Sequence, residues 1–205
     1  DEMVLEISGQ VRQAQVFEEN LVLSRTLRLH TEKNVLEIED TVENQGFAKT
    51  PLMLVYHVNF GYPMLDEGAR VYTSAGQITP RDDTAQANFD KHSLMEAPGV
   101  LRPEECFFHT QHPDTGAYAM LHNESLGMAA ILHFDAKALP LLCQWKCMRA
   151  GDYALGLEPT PSGVMGRPAA RADGSLQFLE AGESRTFRMS LTLTDDTGTI
   201  KKYMK

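Results

Sequence analysis

The sequence predicts an all-β fold, a large antiparallel β-sandwich. Three observations carry that expectation. Apolar and polar residues alternate with a period of two in many runs, turn residues separate those runs at short intervals, and no long stretch has the period of an amphipathic helix. Recurring βα alternation is also missing, which sets aside the doubly wound folds. A chain of 205 residues is long enough for one well-filled core, and residues 1–205 are expected to form one sandwich domain. With 42% hydrophobic and 23% charged residues the composition is that of a folded chain, not a disordered one.

In chain order, NLVLSRTLRLH sets Leu21, Leu23, Leu27 and Leu29 on one face and Ser24, Thr26 and Arg28 on the other. VLEIEDTVEN does the same with Leu36, Ile38 and Val42 against Glu37, Glu39 and Glu43. Strands with one wet face belong to antiparallel sheets. Asn44-Gln45-Gly46 supplies a turn, and the apolar run Leu52 to Tyr56, with no polar alternate, predicts a central strand buried on both faces. From Gly61 to Pro103 glycine, proline, Asp and Asn recur with only short strand candidates such as Ala69 to Thr73; a connection that long points to function. Strands are expected again over 106–111, 117–122, 127–134, 141–148, 153–158, 175–179 and 184–194, the last pair joined by Ala181-Gly182-Glu183. No repeat or linker divides the chain.

The net charge of −9 and the absence of a basic stripe disfavour nucleic acid, whose phosphates need clustered Lys and Arg. Lys201 and Lys202 read as a solvated tail. No apolar run approaches the roughly 20 residues of a membrane helix, and DEMVLEISG lacks a secretory leader. Three cysteines, Cys106, Cys143 and Cys147, are too few and odd in number for a disulfide framework. They suit a reducing compartment, so a cytoplasmic location is expected, with the thiols buried and structural.

Two stretches carry candidate chemistry. PLMLVYHVNFGYPMLD (Pro51 to Asp66) delivers His57 beside Asn59, Phe60 and Tyr62, a mixture suited to gripping a polar ligand with an apolar face, such as a sugar. YALGLEPTPSGVMGRPAAR (Tyr153 to Arg171) places Glu158 at the exit of a strand, kept extended by Pro159, with Arg167 and Arg171 close behind. A histidine and a glutamate at two strand ends give an acid and a base if the fold sets them on opposite sides of one pocket. A nucleophile elbow and a phosphate-cradling glycine loop are both missing.

YHVNFGYPMLD, LPLLCQWKCM, GDYALGLEPTPSGVMGR and GSLQFLEAGESRTFRMSLTL, in that order and spacing from about Val11 to Thr194, resemble the aldose 1-epimerase-like (galactose mutarotase-like) group. The resemblance implies a supersandwich fold and interconversion of sugar anomers without metal or organic cofactor. His57 would protonate the ring oxygen and Glu158 would take the proton of the anomeric hydroxyl. Asn59, Tyr62, Trp145 and Arg167 would hold hydroxyls or stack on the sugar. An upstream histidine and arginine usual in galactose mutarotases have no counterpart in the 56 residues before His57. The chain is therefore expected to be the C-terminal, larger part of a longer polypeptide, and exposed sheet edges would favour association between copies.

Two other readings stand beside this one. A non-catalytic carbohydrate-binding module would use the same cleft. A metal-dependent sugar isomerase would use His109 and His112 of FFHTQHPD with His57 and Glu158, although odd spacing on a strand points those two histidines to opposite faces.

Overall fold

The computed structural model describes residues 3–112 and 116–204. Its strands, in chain order, are β1 (Val4–Ala14), β2 (Asn20–His30), β3 (Val35–Asn44), β4 (Thr50–Leu52), β5 (Val58–Phe60), β6 (Arg70–Thr73), β7 (Gln77–Pro80), β8 (Glu105–Thr110), β9 (Ala117–Asn123), β10 (Met128–Phe134), β11 (Leu141–Cys147), β12 (Ala154–Thr160), β13 (Gln177–Leu179) and β14 (Ser184–Thr194). Short helices α1 (Asp83–Ala87), α2 (Arg167–Ala172) and α3 (Thr197–Tyr203) complete it. Among the described residues no helix is long and apolar enough to cross a membrane.

Seven strands form one sheet in the order β1-β2-β3-β14-β10-β9-β6, and five form a second in the order β5-β12-β11-β8-β7. Neighbours run antiparallel, as the sequence predicts: β2 with β3, β3 with β14, β11 with β12. The inward faces share one core. Ala130, Leu132, Phe187 and Met189 of the larger sheet pack with Leu142, Leu155 and Leu157 of the smaller one, all nearly inaccessible to water. This is a face-to-face sandwich, whose alternating side chains interdigitate between the layers.

β9 and β10 read as almost continuous apolar runs because both of their faces are covered. Ala130 and Leu132 point into the core, whereas Met120, Ala129 and Ile131 pack under Ile200 of α3. The lysines expected in a solvated tail are exposed, but they sit on this helix. Asp196 caps it by accepting from Thr199 N–H at 2.7 Å.

The structure corrects the central strand expected over Leu52 to Tyr56. Thr50–Leu52 makes a small separate ladder with β13, residues 53–57 join no ladder, and Val58–Phe60 lies at the edge of the five-stranded sheet. The segment is a crossing between the two layers, held by Tyr56 N–H on Pro159 O at 3.1 Å and by Thr160 Oγ1–H on Leu54 O at 2.9 Å. Its apolar residues fill the space between sheets, so the composition imitates a buried strand while Val55 stays exposed.

Candidate functional site

The outer face of the five-stranded sheet assembles the site. Strand alternation places Gly156 and Glu158 of β12 on the same face as Trp145 and Cys143 of β11, because Gly156 stands opposite Trp145 and Glu158 opposite Cys143. Asn59 of β5 stands opposite Gly156, and Cys106 of β8 opposite Trp145. His57, just before β5, leans over this row.

His57 Nε2 lies 2.9 Å from Glu158 Oε1, the imidazole half exposed and the carboxylate almost wholly buried. That oxygen has no aligned hydrogen-bond donor, so the approach is a close contact rather than a directed bond. On the other side of the ring, Nδ1 hydrogen-bonds with Asn59 Oδ1 at 2.8 Å. Trp145 meets the imidazole edge-on, ring centres 5.7 Å apart. Its indole N–H donates to Glu104 Oε2 at 2.7 Å, and Arg81 donates both to Glu104 at 3.0 Å and to Cys106 Sγ at 2.8 Å.

The contact between His57 and Glu158 depends on a missing side chain. A methyl group at Gly156 would stand 2.3 Å from Glu158 Oε1 and 3.2 Å from His57 Cε1. Glycine here leaves the room into which carboxylate and imidazole pack.

Burial pushes the Glu158 carboxyl up, with the charge of His57 opposing. Trp145 N–H, then Arg81, holds Glu104 below the usual carboxylate range against its partial burial. Hydrogen bonding between the two thiols raises Cys143 and lowers Cys106, the latter helped by the Arg81 charge. All three cysteines are free and buried, as the sequence suggests.

The expected site residues divide. His57, Asn59, Trp145 and Glu158 come together. Tyr62, 81% exposed, stands on the chain just past β5. Arg167 is engaged at the start of α2, donating to both oxygens of Glu19 at 2.8 and 3.2 Å, and Arg171 lies over the ring of Phe178. Glu158 therefore has His57 as its neighbour, not the guanidiniums that follow it in sequence. The acid and base also do not face one another across a pocket of sugar width; they touch. Gly156, Glu104 and Arg81 are absent from the sequence reading. Only the period of two back from Glu158 marks Gly156, and no local signal marks the others.

Of the histidines in the metal-dependent reading, His109 is placed elsewhere. His109 is buried on the inward face, its nitrogens occupied by Gln144 Oε1 at 3.0 Å and Thr73 Oγ1 at 3.2 Å. Among the described residues no group of three or more His, Cys, Asp or Glu side chains is arranged to hold a metal ion.

Two antiparallel sheets packed face to face in this order form a galactose mutarotase-like sandwich, and solved structures share the fold. A "putative aldose 1-epimerase" from Klebsiella pneumoniae superposes with a TM-score of 0.91 at 25% identity, over 98% of this chain and 53% of its own. A galactose mutarotase-like protein from Clostridium acetobutylicum matches with a TM-score of 0.64 at 14% identity, over 95% of this chain and 63% of that one. An aldose epimerase homologue from C. elegans gives 0.63 at 15%, over 94% and 68%. The chain thus spans about half the length of the Klebsiella protein. No curated protein matches the sequence. The family model described as a domain of unknown function, DUF4432, matches residues 1–193, and the chain belongs to that family.

Proposed function

We propose that this chain carries the acid–base pair of an aldose 1-epimerase-like reaction, the interconversion of sugar anomers. The observation behind this reading is the contact of half-exposed His57 with buried Glu158 beside the Trp145 ring. The ring oxygen and the anomeric hydroxyl of a sugar sit on the same carbon. Two touching groups can therefore serve both atoms from one side, without a cleft between them.

In the forward step His57 gives its proton to the ring oxygen while Glu158 receives that of the anomeric hydroxyl. The ring C–O bond breaks and the free aldehyde forms. Rotation about the C1–C2 bond and reclosure on the other face give the second anomer, with the protons moving back. Burial makes Glu158 a stronger base than a solvated carboxylate, and Asn59 fixes the imidazole plane. Trp145 and Tyr62 offer aromatic faces to the sugar. The reaction is internal to the substrate, and its proton transfers need no cofactor.

Polarimetry on a freshly dissolved pure anomer of galactose tests this. Mutarotation should run faster with the chain than in buffer. His57→Ala and Glu158→Ala should each lose on the order of 10²–10⁴ of the acceleration, with sugar binding retained by NMR. Unchanged acceleration in both variants would sink the assignment. Binding without any acceleration would make the chain a carbohydrate-binding module instead.

A further inference from the structure

Beside the His57–Glu158 contact lies a row of buried groups that the acid–base step does not use. Cys143 of β11 stands directly opposite Glu158 of β12, and Cys106 of β8 stands opposite Trp145, one diagonal step from Cys143 on the same face. Cys106, Cys143 and Glu158 are only 3%, 2% and 5% exposed. The two thiols hydrogen-bond to each other, Cys143 also hydrogen-bonds with the Glu158 carboxylate, and Arg81 donates to Cys106 Sγ at 2.8 Å.

The chemistry of these groups leaves one direction for the bonds. An ionised carboxylate only accepts, a guanidinium only donates, and a thiol has one proton to give. The Cys143 proton therefore goes to Glu158. The bond between the thiols must then be donated by Cys106, whose sulfur accepts from Arg81. Glu158 Oε1, the oxygen against His57, has no aligned donor, so the Cys143 proton falls on Oε2. One carboxylate oxygen is held and the other is left for a proton. Loss of the Cys106 proton would turn the middle bond round and draw Cys143 off the carboxylate.

We propose that Cys143 is a positioning residue for Glu158, the last member of a one-way hydrogen-bond relay that runs from Arg81 through Cys106 and turns Oε1 toward His57. Its consequence for catalysis rests on the acid–base reading above, whereas the relay itself does not. The titratable groups that face Glu158 are His57 ahead of β5, Cys143 on β11, Cys106 on β8 and Glu104 ahead of β8. Burial raises the Glu158 carboxyl, His57 and then Cys143 oppose the rise, and Glu104 adds to it. Among the described residues Cys143 is the one hydrogen-bond donor to this carboxylate.

Infrared spectroscopy of the S–H stretch tests the relay without any substrate. The wild-type chain should show a band displaced to low frequency by a charged acceptor. Cys143→Ala should remove that band, Glu158→Gln should return it toward the position of a neutral acceptor, and Cys106→Ala should leave it in place. Carbon-13 NMR of the carboxyls gives a second reading. The Glu158 midpoint should rise by about one pH unit in Cys143→Ala, a tenfold change in proton affinity. It should stay near wild type in Cys143→Ser, whose hydroxyl restores the donor. In mutarotation the acid limb of the pH profile should move up with that midpoint in Cys143→Ala, lowering kcat there with KM unchanged, and Cys143→Ser should recover it. Far-UV circular dichroism checks that the variants remain folded. No displaced band in wild type, a midpoint unmoved in Cys143→Ala, or Cys143→Ser behaving as Cys143→Ala would each overturn the proposal. A wild-type chain that does not accelerate mutarotation would overturn the reading of the site instead, and the infrared and carboxyl data would decide the relay on their own.

Discussion

Gly156 shows how one residue decides whether the His57–Glu158 contact can form. Glu158 and His57 are separated by most of the middle of the chain and meet only because the position beneath them has no side chain. In Gly156→Ala, the new methyl overlaps the carboxylate, which must swing away from the imidazole. The expected outcome is a fold still intact by circular dichroism and any mutarotase activity down about a hundredfold, the scale of a small misplacement of reacting groups. The His57 ring proton signals in NMR should shift, reporting the lost contact directly.

At the scale of elements, the paired strands β8 and β11 present two different faces. Outward they carry Cys106, Cys143 and Trp145; inward they carry His109 and Gln144, joined at 3.0 Å. Burial pushes His109 down to about 4. A histidine with a lowered value in the folded state must take up its proton on unfolding. Stability is therefore unaffected above pH 6.5 and is lost as pH falls from there toward 4. The loss from this side chain is on the order of 3 kcal/mol at pH 4, at about 1.4 kcal/mol per unit, which lowers Tm by roughly 6–12 °C in a chain of this size. Thermal unfolding at both ends of that range should show the fall, and His109→Gln should flatten it. An equal fall in the variant would locate the acid sensitivity elsewhere.

Many element boundaries are legible in the sequence. The period of two in NLVLSRTLRLH, VLEIEDTVEN and SRTFRMSLTLT matches β2, β3 and β14, because alternation is a local property of a pleated strand with one wet face. The reading failed where an apolar run had a different cause. Leu52, Leu54 and Tyr56 are apolar since they plug the gap where the chain changes layers, and period alone does not separate a plug from a buried strand. α3 escaped notice for the opposite reason: its helix is short and shows one buried residue, Ile200.

Across the whole molecule, both sheets depend on one core. Phe187 of β14 is 1% exposed and packs edge-on against Tyr56, ring centres 6.3 Å apart, on the segment that crosses between layers. Phe187→Ala should cost about 3–5 kcal/mol, read as a fall in the urea midpoint. Calorimetry should give one cooperative transition for wild type and variant alike, since the main core is built from the inward faces of both sheets. Two separate transitions would show that the sheets are independent.

By itself the sequence determined the long alternating strands β2, β3 and β14 with their wet and dry faces, and two of the side chains that meet at the candidate site, because each of these follows from residues a few positions apart. Only the tertiary structure decided that β14 lies between β3 and β10, that Glu158 answers to His57 rather than to Arg167, and that Trp145 and Gly156 stand opposite one another beside that pair. Register between distant strands is set by how two whole sheets pack against each other, and no local pattern encodes it.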